Sequence, residues 1–442
     1  MAKLFGTDGI RGTAGDDLTT ELVAEVGRAL AAACREGALG SAVDRPRIVV
    51  GRDTRLSGPA MEEALVEGLS SGGADALLGG VLPTAGVAFL TQHLRTDAGV
   101  VISASHNPPA DNGVKIFGPG GWKLPPSAES VIESLVGSAR GSGGGRAEIL
   151  DDAAESYLGH LTSDGRADLT GMRVVVDCAN GAASSFAPAA FERLGATVRA
   201  LNADGDGARI NEDCGALHPE VVAEAAQRDG AIGLTLDGDA DRALLVDEQG
   251  AIVDGDGIIA ILAQHMRGDG SLRGDGVVVT VMSNQALRRW CEASGIDLVE
   301  TPVGDRHVLQ ALREHDYVLG GEQAGHVARL DQMTTGDGIL IGLDVCGIVA
   351  SRGGRLADIV PMRPLPQVLV NVPTPGLNGV DRSEGVRAAI ADVERELGVQ
   401  GRVLVRPSGT EPLVRVMVEA PDRAVAGQWA DYVAQAVKRE LS

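Results

Sequence analysis

The stretch AIGLTLDGDADR, Ala231–Arg242, joins a short apolar run directly to a loop with an aspartate at every second position. A short apolar run bounded by turn residues is typical of a buried strand in a parallel sheet. The loop then begins at the carboxyl end of that strand, where open α/β sheets bind their ligands. The stretch therefore predicts an α/β fold whose chemistry lies close to Asp237, Asp239 and Asp241.

Two further apolar runs each lead into a dense polar loop in the same way. SASHNP (103–108) follows the predicted strand Ala98–Ile102, and GGEQAGH (320–326) follows the predicted strand 317–319. Between such runs lie longer Ala/Leu/Glu stretches, which are typical of crossover helices. The last 75 or so residues differ, since they predict the order strand, helix, strand, strand, helix. The repeat indicates three related α/β units and a different C-terminal unit, with the loops converging on one cleft.

The predicted units have recognisable starts and one glycine-rich break. Strands are predicted at 47–50, 172–177 and 276–281, and a helix at 183–194. The run GSGGGR (141–146) predicts a loop or linker near the first domain boundary.

Composition excludes several classes of protein. The 442 residues carry a net charge of −22 and include three Trp, three Tyr and five Phe, so a nucleic-acid binder is not expected. No apolar run approaches the ~18 residues of a membrane span, and the N-terminus lacks the apolar stretch of a signal peptide. The five cysteines are odd in number and far apart, which argues against disulfides and zinc. We therefore expect a cytoplasmic protein.

The aspartates of DGDADR, separated by the smallest side chains, can turn their oxygens towards one hard cation such as Mg²⁺. The alternative is an acidic, solvated loop. Ser105, beside His106, can be an exposed nucleophile, although a plain Ser/Asn/Pro turn would have the same sequence. Lys115 is a candidate general acid or base.

The other polar loops offer groups that bind sugars and phosphates. Glu322 can accept hydrogen bonds from sugar hydroxyls, and His326 titrates near neutral pH. The segment RPSGTEPLVR (406–415) supplies two arginines, two hydroxyls and turn amides, which form a candidate phosphate cradle or else a hairpin with exposed charges. The segments GTDGIRG (6–12) and GRDTR (51–55) are weaker signals of the same kind.

Taken together, GTDGIRG, SASHNP, DGDADR, GGEQAGH and RPSGTEP resemble the motifs of the α-D-phosphohexomutase family, in the same order and over nearly the whole chain. The resemblance implies three related α/β domains with mixed, mostly parallel sheets and a smaller C-terminal α+β domain around one central cleft. The implied domains are 1–152 with the phosphoserine loop, 153–254 with the metal loop, 255–364 with the sugar loop and 365–442 with the phosphate loop.

The resemblance also implies roles for single residues. Ser105 would carry a phosphoryl group and, with Asp237, Asp239 and Asp241, would hold Mg²⁺. Arg242 would lie beside the transferring group. Candidates for proton transfer are His106, Lys115 and His326. The substrate would be bound by Arg11, Asp305, Arg306, Glu322, Arg406, Ser408, Gly409, Thr410 and Arg415.

The implied reaction interconverts glucosamine 6-phosphate and glucosamine 1-phosphate through a hexose 1,6-bisphosphate, glucosamine 1,6-bisphosphate or a relative of it, for amino-sugar nucleotide and cell-wall precursor synthesis. Gln323 is typical of the glucosamine branch of the family, whereas Ala324 replaces its usual serine. Phosphomannomutase or phosphoglucomutase activity stays an alternative. So do a haloacid-dehalogenase-type phosphatase or mutase, with Asp237 as nucleophile, and a non-catalytic phosphosugar-binding protein. A homodimer is left open.

Overall fold

The computed structural model describes residues 4–6, 8–163, 165–374, 383–407 and 413–441. The chain divides into two compact units. The first contains Met1–Met282 and Asp297–Val360, and the second contains Ser283–Ile296 and Pro361–Ser442. Among the described residues, no helix combines the length and the apolar character that a membrane crossing requires.

The first sheet of the first unit has six strands in the order β1-β5-β4-β2-β3-β6. Strands β2, β3, β4 and β6 are parallel, whereas β5 runs antiparallel to β4 and β1. The strands are β1 Ile10–Thr13, β2 Arg47–Arg52, β3 Asp75–Val81, β4 Ala98–Ile102, β5 Asp111–Phe117 and β6 Ala147–Ile149. The helices of this part of the chain are α1 Thr20–Arg35, α2 Gly58–Ser71, α3 Thr84–His93 and α4 Pro126–Leu135.

The second sheet has five strands in the order β11-β10-β9-β7-β8. They are β7 Arg173–Asp177, β8 Thr197–Leu201, β9 Ile232–Leu236, β10 Ala243–Val246 and β11 Ile252–Val253. Every residue of β9 is buried, as its apolar sequence predicts. The helices of this part of the chain are α5 Ala153–Leu161, α6 Ala187–Arg193 and α7 Pro219–Asp229.

The third sheet has four strands in the order β13-β12-β14-β15. They are β12 Gly276–Thr280, β13 Asp297–Thr301, β14 Leu319–Gly321 and β15 Val327–Arg329. The helices of this part of the chain are α8 Gly255–Gly268, α9 Gln285–Ser294, α10 Asp305–His315, α11 Gly338–Arg352 and α12 Leu356–Ile359.

All three sheets share one arrangement of four successive strands. In each, the first strand lies between the second and the third, which are parallel to it, and the fourth is antiparallel to the third. The polar loops after β4, β9 and β14 each join the third strand to the fourth. The predicted relationship between the three α/β units is therefore confirmed, and each unit presents its polar loop at the same topological position.

The second unit contains a three-stranded antiparallel sheet in the order β16-β18-β17. Its elements are β16 Gln367–Pro373, α13 Glu384–Leu397, β17 Arg402–Pro407, β18 Leu413–Glu419 and α14 Arg423–Leu441, in the predicted order. Valines of the sheet and alanines and valines of both helices form one apolar core. Helix α9 groups with this unit, through hydrogen bonds from Gln285 N to Glu419 (2.8 Å) and from Asn284 Nδ2 to the Leu365 carbonyl (3.0 Å).

Several predicted elements differ from the structure at their ends, such as the helix predicted at 183–194, which is α6 Ala187–Arg193. The strand predicted at 317–319 instead spans Leu319–Gly321, and glycine fits at 320 because a side chain there would meet the backbone oxygen of Val278 at 2.5 Å. The glycine-rich run 141–146 is a loop, but it leads into β6, which still pairs with the first sheet. The run therefore precedes the last strand of that sheet.

Candidate active site

Ser105 lies in the loop between β4 and β5, with 1% of its surface exposed. Its Oγ donates a hydrogen bond to Asp237 Oδ2 at 2.6 Å and lies 3.2 Å from Nδ1 of His106. The backbone of Ser105 has φ +55°, in the left-handed region that residues other than glycine seldom adopt. This conformation places the predicted nucleophile against the acidic loop of the second sheet.

The three aspartates after β9 are buried, and their ligand oxygens all lie within 4.8 Å of one another. A tight turn gathers them, since Ala240 has φ +59° and its N–H donates to the Asp237 carbonyl at 3.0 Å. Oδ1 of Asp239 is buried and has no hydrogen-bond partner in the described part of the chain. Three converging carboxylates with one unsatisfied buried oxygen fit a hard divalent cation.

Burial shifts two pKa values beside the serine. Burial, with the charges of Asp241 and Asp239, raises the pKa of Asp237 to about 8. Burial, with the positive charges of Arg242 and Arg11, lowers the pKa of His106 to about 4. At neutral pH His106 is therefore uncharged.

Two positively charged side chains, Lys115 and Arg242, lie beside the aspartates. The Nζ of Lys115 contacts Asp239 at 2.7 Å and Asp241 at 3.0 Å. Burial alone would lower the pKa of Lys115, but these carboxylates, together with Asp8, raise it well above its usual value. Burial opposes the charge of Arg242 too, yet Asp237 and Asp241 raise its pKa. Both side chains therefore stay charged at neutral pH.

A series of ion pairs leads from Lys115 to Asp305, which lies beside His326. Asp8 contacts Lys115 at 3.0 Å and Lys123 at 2.6 Å, and Lys123 also pairs with Asp305. Asp305 Oδ2 lies 3.6 Å from Nε2 of His326. Burial would raise the pKa values of Asp8 and Asp305, but the lysines lower both, so both acids are ionised. These contacts link the α/β unit of the first sheet to the α/β unit of the third sheet.

Replacement of Lys123 by methionine should destabilise the protein, because it leaves Asp305 buried with its negative charge poorly compensated. Removing one partner of a buried pair typically costs about 3–5 kcal/mol. The measurement is the urea midpoint of unfolding for Lys123→Met and for Lys123→Met/Asp305→Asn. The double variant should recover part of the loss, and equal midpoints for the wild type and Lys123→Met would contradict the account.

The loop after β14 is held by its own backbone and by a neighbouring loop. Oε1 of Glu322 accepts a hydrogen bond from the N–H of Gly304 at 2.9 Å, and the N–H of Glu322 donates to the His326 carbonyl at 2.8 Å. The Nε2 of Gln323 donates to Asp254 at 3.2 Å. Glu322 and His326 are thus fixed in one loop, as the sequence predicts.

Two predicted substrate arginines are paired with acids of the protein. Arg306 forms a two-point ion pair with Glu129, across the first and third α/β units. Arg11 pairs with Asp8, and its Nη1 lies 3.5 Å from Asn107 Oδ1. A substrate phosphate at either arginine would compete with a carboxylate.

The predicted phosphate cradle lies partly outside the described residues, since these do not include Ser408, Gly409 and Thr410. Arg406 and Arg415 are described and stand directly opposite each other in the antiparallel ladder of β17 and β18. Two positively charged side chains therefore face each other at this point of the ladder.

The structure brings together Ser105, His106 and the three aspartates with Lys115, and separately Asp305 with His326. Several buried or half-buried partners of these groups were not predicted. They are Asp8, Arg55, Thr84, Lys123 and Asn211. Asp8 stands in the quoted GTDGIRG motif and Arg55 in GRDTR, so these two had a sequence signal that the others lacked.

The chain matches four domains described as those of phosphoglucomutase/phosphomannomutase. They are alpha/beta/alpha domain I at residues 2–140, domain II at 155–250, domain III at 254–364 and the C-terminal domain at 369–436. Phosphoglucosamine mutase of Rhodococcus opacus is 51% identical and that of Moorella thermoacetica 48%, with 99% and 96% of both chains covered, respectively. A crystal structure of a phosphoglucomutase/phosphomannomutase family protein from Burkholderia thailandensis is similar with a TM-score of 0.84 at 26% identity, over 99% of this chain and 97% of that one.

The relatives identify the chain as an intramolecular phosphotransferase, which is an isomerase. These matches show that the chain belongs to the phosphoglucomutase/phosphomannomutase family of α-D-phosphohexomutases. Both curated relatives named above are phosphoglucosamine mutases.

Proposed function

We propose that the chain interconverts glucosamine 6-phosphate and glucosamine 1-phosphate, with Ser105 as the phosphoryl carrier and a 1,6-bisphosphate as the intermediate. The observation that carries this proposal is the 2.6 Å hydrogen bond from Ser105 Oγ to Asp237, within a buried acidic triad. The two relatives named phosphoglucosamine mutase, about half identical over the chain, support the sugar.

We propose Mg²⁺ as the cation, held by Asp237, Asp239 and Asp241. Oxygen-only ligands suit Mg²⁺, and the unsatisfied Oδ1 of Asp239 supports a ligand at that atom. When bound, the cation neutralises negative charge on the transferring phosphoryl group.

The transfer exchanges one phosphorus–oxygen bond for another. The bond from phosphorus to Ser105 Oγ breaks, a bond to O1 or O6 of the sugar forms, and the sugar hydroxyl loses its proton while Ser105 Oγ gains one. Charged Lys115 and Arg242 stabilise negative charge on the moving group. Asp237, which accepts the hydrogen bond of Ser105 Oγ at 2.6 Å, and His106, 3.2 Å from the same oxygen, are the candidates to take the serine proton when phosphate returns.

We propose further substrate contacts from the sugar loop and, for the phosphate, from the two arginines of the C-terminal sheet. Glu322 has one carboxylate oxygen bonded to Gly304, and we propose that the other accepts hydrogen bonds from sugar hydroxyls. Asp305 lies 3.6 Å from His326 and is connected to Lys115 through Lys123 and Asp8, and we propose that Asp305 and His326 contact the sugar. Arg406 and Arg415 would bind the phosphate that does not react.

Replacement of Arg406 by alanine should raise KM for glucosamine 6-phosphate roughly tenfold to a hundredfold, because a charge-assisted contact contributes about 1.5–3 kcal/mol. It should also lower kcat, since the bisphosphate would escape before it reorients. Added hexose 1,6-bisphosphate should then restore part of the rate. Arg406→Lys should recover only part of the binding, because a point charge does not reproduce the planar fork.

The matched control is Arg395→Ala, which removes an exposed arginine of the same unit that pairs with Asp392 on its own helix. The measurement is the steady-state KM and kcat of the wild type, the two Arg406 variants and Arg395→Ala. Wild-type KM and kcat in Arg406→Ala would mean that this loop is only a charged hairpin.

Phosphorus NMR tests the substrate. With Mg²⁺ and a trace of bisphosphate, the protein should convert glucosamine 6-phosphate into glucosamine 1-phosphate faster than it converts glucose or mannose phosphates. A faster reaction with glucose or mannose phosphate would contradict the proposed substrate and favour phosphoglucomutase or phosphomannomutase activity.

A further inference from the structure

Arg55 is a fully buried arginine that the proposed mechanism does not use. It follows β2, in the GRDTR segment, and its side chain has 0% exposure. Its Nε donates to Asp53 Oδ2 at 2.9 Å, and the Asp53 side chain is equally buried. A buried ion pair loses much hydration energy and contributes little net stability by itself. The contacts of its other donors are therefore more informative than the ion pair.

The remaining donors of Arg55 all point at one loop. Nη2 donates to the carbonyls of Ser105 at 2.9 Å and Asn107 at 2.8 Å. Nη1 donates to the carbonyls of Asp111 at 2.9 Å and of Pro108. One planar guanidinium thus fixes the path of the serine loop at four carbonyls within seven residues.

Asp53 is connected to the backbone N–H of Ser105 through the hydroxyl of Ser103. Ser103 Oγ donates to Asp53 Oδ2 at 2.6 Å and accepts a hydrogen bond from the N–H of Ser105 at 2.9 Å. The two peptide groups that flank the Ser105 side chain are therefore both anchored to the Asp53–Arg55 pair. An unfavourable backbone conformation persists only where its surroundings fix it, and Ser105 has φ +55°.

We propose that Arg55 is a positioning residue for phosphoryl transfer, which holds the Ser105 backbone in the left-handed conformation that directs Oγ to Asp237. This inference rests on the proposed function, because it requires Ser105 to carry the phosphoryl group. Transfer between oxygens is sensitive to alignment, and a misplacement of about 1 Å can cost roughly a hundredfold in rate.

Asn211, from the second α/β unit, holds two of the same carbonyls. Its Nδ2 donates to Ser105 O at 2.9 Å and to Asn107 O at 3.1 Å. Asn211 carries no charge and therefore offers a milder way to loosen the same loop. It makes the inference testable even if the arginine cannot be replaced.

Arg55→Lys keeps a positive charge beside Asp53 but loses the fork that spans four carbonyls. We expect kcat to fall roughly tenfold to a hundredfold while KM for glucosamine 6-phosphate changes less than about twofold. Phosphorylation of Ser105 by added hexose bisphosphate, followed by intact mass, should slow by the same factor as kcat. The control is Arg166→Lys, which changes another arginine paired with an acid, Asp344, with no contact to the serine loop.

An unchanged kcat in folded Arg55→Lys, or a rise in KM alone, would overturn the inference. If Arg55→Lys does not fold, Asn211→Ala decides: we expect a several-fold lower kcat at unchanged KM, and wild-type kinetics would overturn the inference. Failure of the proposed function is distinguishable, because Ser105→Ala would then keep its activity. If Ser105→Ala is inactive and the loop variants are not impaired, only the positioning role is wrong.

Discussion

Ser105→Ala should lose nearly all mutase turnover, with kcat lower by roughly 10⁴–10⁶-fold, because a covalent carrier has no substitute in the site. Its folding should change little. The lost hydrogen bond to Asp237 costs about 1–3 kcal/mol at most, and alanine tolerates φ +55° no worse than serine. Initial rates with glucosamine 6-phosphate and thermal melts provide the measurement.

The control for this variant is Ser134→Ala, an exposed serine whose Oγ donates only within helix α4. Bisphosphate should not rescue Ser105→Ala, whereas it should partly rescue Arg406→Ala, since the first variant lacks the carrier and the second only releases the intermediate. Substantial turnover in Ser105→Ala would place the phosphoryl group elsewhere.

Asp239→Asn is expected to have the second largest effect, with kcat lower by roughly a hundredfold or more. It removes one anionic oxygen from the triad but keeps the size of the side chain and an acceptor for Thr84, which donates to Asp239 Oδ2 at 2.5 Å. High Mg²⁺ should restore part of the rate, because the weakened site then fills. Chelation by EDTA should inactivate the wild type reversibly.

The matched control is Asp247→Asn. Asp247 is buried as well, but it lies outside the triad and accepts hydrogen bonds from Gln249 N and Ala251 N in a turn. The apparent Mg²⁺ affinity of Asp247→Asn, measured from the activity at increasing Mg²⁺ concentrations, should equal that of the wild type. Full activity of the wild-type protein in excess EDTA would contradict the metal site.

The sequence could predict those parts of the site that lie within single loops. The apolar runs before Ser103 and before Asp237 predict two buried strands, and each polar loop joins the third strand of its sheet to the fourth. The alternation of Asp with Gly and Ala likewise predicts the carboxylate cluster.

Partners that are distant in sequence left no such signal. Lys123 pairs with Asp8 and Asp305, which lie 115 and 182 positions away along the chain. Asn211 lies 106 positions from Ser105, and no local pattern of the sequence shows either this contact or the positive φ of Ser105. Such contacts form when the three α/β units pack against one another, so the sequence of a single segment does not predict them.

The residue that carries the transferred phosphate distinguishes Ser105 from Asp237 as the nucleophile. The protein, incubated with hexose 1,6-bisphosphate and Mg²⁺, would be digested, and the phosphopeptides mapped by mass spectrometry with and without hydroxylamine, which cleaves acyl phosphates but leaves phosphoserine intact. The account predicts one hydroxylamine-resistant phosphate, on Ser105, that disappears when glucosamine 6-phosphate is added and bisphosphate forms. A hydroxylamine-sensitive phosphate on Asp237, with Ser105 unmodified, would contradict it.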